Sequence, residues 1–146
     1  FDGTTFKEPP SRFEAGTPHI AGAIGLGVAL DYIKSVGIEN IFAYESQLIE
    51  YAFNRLKSCQ GVEIVGNPKH RSGAISFIME NAHPHDTGTI LDTEGVAIRT
   101  GHHCCEPLMN RFGISATTRA SIAFYNNSDD IDALVDSLAK VRALFG

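Results

Sequence analysis

No stretch of this 146-residue chain is apolar for long enough to cross a bilayer as a helix. Its first residues lack the basic-then-apolar pattern of a secretory signal. It has no excess of positive charge. The formal net charge is -5, which argues against nucleic acid or an anionic membrane surface as a partner. Cysteine is scarce: the 3 cysteines are Cys59, Cys104 and Cys105. An odd count leaves a thiol free, and adjacent cysteines do not read as an ordinary structural bridge. A reducing, cytoplasmic compartment is the expectation. There is no internal repeat and no low-complexity segment, which sets aside repeat architectures. What remains is ordinary: 43% hydrophobic and 20% charged residues, the balance of a soluble globular protein. The length suits one domain with a real core.

Residues 1–18 are rich in Gly, Pro and Thr without periodicity, and read as hairpin and loop. Residues 19–36 read as a helix lined by Ala21, Gly22, Ala23, Gly25, Gly27 and Ala29. That much glycine is weak by propensity, so close packing against other backbone is expected to hold it. Gly37 suits its C-terminal cap. A second helix fits 39–58, where Ile41, Leu48, Ile49, Ala52, Phe53 and Leu56 recur at helical spacing. Strands are expected at Val62–Val65, Gly73–Met79, Val96–Arg99 and Thr118–Phe124, with a short helix from about Asp86 to Glu94. The last helix is expected to begin near Ser128 as its N-cap, with Asp129 and Asp130 in the first turn. Its apolar face is Ile131, Leu134, Val135, Leu138, Val141 and Phe145. The order β–β–α–β–α–β–α mixes hairpin and crossover connections. It predicts an α/β chain of the α+β kind: about four strands, mostly antiparallel or mixed, covered by helices largely on one face.

The densest chemistry lies in Arg99-Thr-Gly-His-His-Cys-Cys-Glu-Pro-Leu-Met109. A reactive thiol needs cations, imidazolium or a helix N-terminus nearby, and partial exposure. A free cysteine is more often a small buried hydrophobe. Here His102, His103 and Glu106 suit a core poorly, which points to function at Cys104. Four consecutive ligands, His102 to Cys105, cannot easily converge on one tetrahedron, so no metal site is expected. Arg119 stands just before an apolar run in Thr117-Thr-Arg-Ala-Ser121. A guanidinium there either meets solvent at a strand edge or grips a carboxylate with two parallel hydrogen bonds. Gly16-Thr17 alone would be a plain turn. His85 and Asp86, in His83-Pro-His-Asp-Thr87, read as a helix N-cap with solvated histidines. His19 and His70 receive no role.

The eleven-residue segment resembles the active-site loop of SufS-like cysteine desulfurases of the class V aminotransferase superfamily, whose pattern runs R-T-G-H-H-C-x-x-P-L-M. Arg12-Phe-Glu-Ala-Gly-Thr17 and the Arg119-Ala-Ser121 element also match that family. The resemblance covers essentially the whole chain but only the last third or so of a family member. With Phe1 in place of a starting methionine, it implies the C-terminal region of a larger enzyme. Residues 1–18 would be a remnant of the large domain. Residues 19–146 would be a linking helix and the small domain of a fold-type I enzyme that uses pyridoxal 5'-phosphate (PLP).

The activity implied is conversion of L-cysteine to L-alanine and an enzyme persulfide, passed to an acceptor protein for iron–sulfur assembly. The resemblance makes Cys104 the nucleophile, Arg119 the carboxylate-binding residue and Arg99 an accessory cation. Gly16 and Thr17 would cap the cofactor phosphate across a homodimer interface. Cys105 departs from the family, which often has a small residue such as alanine there. It either fills that space or resolves a persulfide. The family's cofactor lysine follows a histidine in an S-x-H-K element. None of Lys7, Lys34, Lys57, Lys69 and Lys140 does so, and this chain alone is expected to be inactive. Two other readings stand beside this one: a selenocysteine lyase, and a non-catalytic module that presents a thiol and docks a partner.

Overall fold

The computed structural model describes residues 3–146. The chain divides into two compact units, residues 1–40 and 41–146.

In the first unit, residues 3–19 form no strand. The expected hairpin is a loop with one 3₁₀ turn, Ser11–Phe13, among the described residues. Helix α1 follows, Ile20–Val36, and ends at Gly37, whose φ of 92° no side chain adopts comfortably. None of the α1 residues is buried. Ile20, Ile24, Leu26, Val28, Leu30 and Tyr32 are all exposed. The close backbone packing expected for this glycine-rich helix is not found among the described residues.

The second unit holds the sheet. Helix α2 spans Ile38–Ser58 and buries Ile41, Leu48, Ile49, Ala52 and Leu56, the stripe its sequence spacing predicts. Strand β1 is Val62–Val65 and β2 is Ala74–Met79. Helix α3 is Pro84–Thr93, β3 is Arg99–Gly101 and α4 is Glu106–Phe112. Strand β4 is Thr117–Ser121 and α5 is Ser128–Phe145. The sheet order is β1-β2-β4-β3, and every neighbouring pair is antiparallel. The fold is therefore α/β, with the mostly antiparallel four-stranded sheet expected.

Side chains alternate across a strand. Ile75, Phe77 and Met79 of β2 and Ala120 of β4 point to one face. There they meet buried residues of α2, α3 and α5, among them Leu56, Leu91, Leu138 and Val141. Residues Ser76 and Arg119, paired in register, lie on the opposite face. No helix among the described residues is long and apolar enough alone to cross a membrane.

Four boundaries differ from expectation, each for a local reason. Helix α3 starts at Pro84 because His83 caps it: His83 Nδ1 accepts from the His85 N–H at 3.2 Å, and proline needs no donor at the first position. Strand β3 begins at Arg99 rather than Val96. The Val96 N–H turns back to the Leu91 carbonyl at 2.9 Å and the Gly95 N–H bonds Asp92, closing α3 with a Schellman motif. Helix α5 is capped by Asn127, not Ser128. Asn127 Oδ1 accepts from the Asp129 and Asp130 N–H groups, and the Asp130 carboxylate accepts from the Asn127 N–H. Strand β4 also stops early. The Ala123 and Phe124 N–H groups donate to the side chains of Asn126 and Glu45 instead of to a strand.

Candidate active site

Strands β3 and β4 bring two arginines together. Arg99 and Arg119 are direct partners in the ladder, and Gly101 pairs with Thr117 two residues along. Like charges placed opposite each other destabilise a sheet. Neither guanidinium has an ion pair among the described residues; the salt bridges there are Lys34–Asp31, Arg55–Asp132 and Lys140–Glu94. Arg119 Nε is buried and makes no hydrogen bond, as are Thr118 Oγ1 and His103 Nδ1. Helix α3 presses on β3 from the core side. A Cβ at Gly88 would come within 2.7 Å of Thr100 Cγ2, so glycine is what allows this approach.

After Gly101 the chain reverses. The Cys105 N–H donates to the His102 carbonyl at 2.9 Å, and the two residues between them, His103 and Cys104, have φ of 54° and 59°. Two positive φ values inside such a four-residue turn are the mark of a type I′ turn, which glycine and asparagine favour. A histidine and a cysteine in the left-handed region cost on the order of 1–2 kcal/mol each. Strain of this kind collects at functional sites.

The turn exposes Cys104 and leaves Cys105 half-buried. Arg99 Nη2 lies 3.8 Å from Cys104 Sγ. The guanidinium N–H donates to the sulfur over this long contact and orients it. The His103 ring goes the other way, inward, and Nε2 shares a 2.8 Å hydrogen bond with Oγ1 of Thr117, a fully buried residue. Burial, then the nearby Arg119, pushes the His103 imidazole below the ordinary histidine range. The Thr117 backbone, as a hydrogen-bond partner, pulls the other way, and Arg99 and His102 add smaller downward pushes. On balance these surroundings favour the neutral imidazole over the charged one.

Of the residues singled out in the sequence, Cys104, Arg99 and Arg119 are gathered on this one sheet face. Gly16 and Thr17 belong to the first unit. Both are exposed there, Gly16 with φ 75°, and the Thr17 hydroxyl has no hydrogen-bond partner among the described residues. Thr117 as the partner of His103 had no signal in the sequence, since fourteen residues separate them. A concavity of about 270 Å³ between Gly95–Ile98, Ala120–Ile122 and the start of α5 contains none of these side chains. Cys104 and Arg99 are exposed, and Arg119 is half-buried.

The profile of the aminotransferase class-V family matches residues 1–134. The chain belongs to that family. Its relatives are cysteine desulfurases. A probable cysteine desulfurase of Xylella fastidiosa is 47% identical over 146 residues, all of this chain and 35% of the relative. The cysteine desulfurase of Dickeya dadantii is 48% identical over 99% of the chain and 35% of its own length. The structure of the Escherichia coli cysteine desulfurase CsdA with an S-sulfonic acid superposes with a TM-score of 0.85 at 34% identity, covering 100% of this chain and 36% of that one. The chain thus spans about a third of the length of these relatives. A cystine C-S lyase with glycine linked to its PLP cofactor shares the fold, with a TM-score of 0.75 at 21% identity.

Proposed function

We propose that this chain supplies the thiol loop and the carboxylate-binding face of a PLP-dependent cysteine desulfurase, the remainder of which is a longer parent chain. One observation carries the reading. Two register-paired arginines have no carboxylate partner among the described residues, and one of them, Arg99, lies 3.8 Å from the Cys104 sulfur. Such a pair calls for an anion. An amino-acid carboxylate fits the planar fork of Arg119, whose buried Nε has no acceptor among the described residues.

The reaction is L-cysteine plus the Cys104 thiol going to L-alanine plus a Cys104 persulfide. The Cys104 sulfur attacks the substrate sulfur. An S–S bond forms as the substrate C–S bond breaks, and the electron pair of that bond stays with the β-carbon. One proton, in net terms lost from the Cys104 thiol, ends on that carbon. Arg119 holds the substrate carboxylate, and Arg99 keeps the attacking sulfur in place. The exposure of Cys104 suits delivery of the persulfide to an acceptor protein of iron–sulfur assembly.

The residues of this chain do not by themselves make a PLP site. No lysine follows a histidine, and Lys34 and Lys140 are engaged with Asp31 and Glu94. Gly16 and Thr17 offer at most a phosphate contact, in our reading across a homodimer interface. Activity is therefore assigned to the parent, and this chain alone is inactive.

The test is intact-mass analysis of the full-length protein after a single exposure to L-cysteine. A gain of one sulfur atom, mapped to Cys104 and released by reductant, is expected, together with alanine in equal amount. No sulfur on Cys104 while alanine accumulates would sink the assignment.

A further inference from the structure

The two residues at the tip of the thiol turn are held in a conformation that neither prefers. His103 and Cys104 both sit at positive φ, with no glycine or asparagine to ease it. Something must offset that strain. Two side-chain contacts hold the turn among the described residues: the long 3.8 Å contact of Arg99 Nη2 with the exposed Cys104 Sγ, and the 2.8 Å contact between His103 Nε2 and Thr117 Oγ1, which alone of the two reaches a buried residue. Thr117 is a firm anchor. It is fully buried, it lies in β4 opposite Gly101, and it is two residues from Arg119.

We propose that His103 is a positioning residue whose hydrogen bond to Thr117 latches the His102–Cys105 turn in its left-handed form. The latch keeps Cys104 outward against Arg99 and Cys105 inward. The charge environment fits this role. The neighbouring guanidiniums of Arg119 and Arg99 disfavour an imidazolium, and His103 serves the turn as a neutral hydrogen-bonding ring. Released from the latch, the turn relaxes toward negative φ, where glycine is not required. Because successive side chains of a reversed segment swap sides, Cys105 then gains the exposure that Cys104 loses. The consequence for catalysis rests on the desulfurase reading of Cys104. The latch itself does not.

The experiment therefore needs neither substrate nor cofactor. This chain is treated briefly with iodoacetamide, and labelling at Cys59, Cys104 and Cys105 is quantified by peptide mass spectrometry. In the unaltered chain Cys104 labels well ahead of Cys105. Thr117→Val keeps the shape but removes the hydroxyl, and should raise the Cys105-to-Cys104 ratio about three- to tenfold, the range one neutral hydrogen bond supplies. Thr117→Ser keeps the hydroxyl and should stay near the original ratio. His103→Ala should match Thr117→Val, and the double variant should add nothing further, since both remove the same bond. Cys59, half-buried against the core, gauges general loosening. If Thr117→Val also raises Cys59 labelling, His103→Ala decides by the same ratio. An unchanged ratio in the deciding variant, equal effects of Ser and Val at position 117, or additive effects in the double variant would overturn the latch.

Discussion

Arg99 and Arg119 stand directly opposite each other in the β3–β4 ladder, and no acidic side chain among the described residues neutralises either. An antiparallel pair tolerates this arrangement at a cost. The cost makes sense if a ligand brings the missing negative charge, and the first prediction follows from it.

Arg119→Ala in the full-length parent should lower kcat/KM for L-cysteine roughly ten- to a few-hundred-fold. That corresponds to about 1.5–3 kcal/mol for a charge-assisted contact. Arg119→Lys should restore only part, because an ammonium cannot reproduce the fork. Steady-state alanine production reads the effect, and circular dichroism checks folding. Full activity in a well-folded Arg119→Ala protein would remove Arg119 from the site.

Cys104→Ala in the parent should abolish persulfide formation and leave the cofactor bound, since the thiol takes sulfur but does not hold PLP. Cys105→Ala should be much milder, because Cys105 is half-buried and Cys104 exposed. Should Cys105→Ala prove the lethal substitution, the wrong sulfur has been assigned.

This chain by itself should form no site-specific adduct with PLP. Incubation followed by borohydride reduction should give only scattered labelling of the 5 lysines, Lys7, Lys34, Lys57, Lys69 and Lys140. Stoichiometric trapping at one of them, with internal-aldimine absorbance, would contradict the assignment of the lysine to the rest of the parent.

The depressed imidazole of His103 makes stability depend on pH in a definite sense. Folding favours the neutral ring, so the unfolded chain binds the proton more readily. Its contribution is intact above the ordinary histidine range near 6.5 and is lost as pH falls through that value toward the lower folded one. Denaturant midpoints should decline over that interval. Asparagine tolerates left-handed φ, so His103→Asn should reduce the slope. A slope identical in both proteins would show that His103 does not titrate as described.

The Asn127 cap should be worth about 1 kcal/mol, so Asn127→Ala should lower the urea midpoint measurably. Ser128→Ala should change it little, since Ser128 is the first helical residue and not the cap.

The regular elements were largely legible because each carries its own periodicity. The stripe of α2, the alternation of Ile75, Phe77 and Met79, and the apolar face of α5 are local patterns that the core then uses. The failures are where a group finds a partner that periodicity does not encode. Val96 looks like strand, yet its N–H is claimed by the end of α3. Ser128 looks like a cap, but Asn127 makes the reciprocal pair with Asp130. In the site, the arginines and Cys104 were legible through a continuous motif. The left-handed turn was not, since histidine and cysteine give no sign of it, and its tether to Thr117 depends on the β3–β4 register. Helix α1 has the composition of a packed helix, and no residue of it is buried.

Strand β3 is an edge of the sheet and only three residues long, Arg99–Gly101. A rim this short, beginning with a charged residue and ending in a sharp reversal, offers too few free backbone groups to template another chain's strand. The brevity that leaves Cys104 at the border of the sheet therefore also guards that border against edge-to-edge aggregation. Lengthening β3 by even a few β-formers in place of the turn would bury the thiol in a ladder and open the rim to fibrous growth.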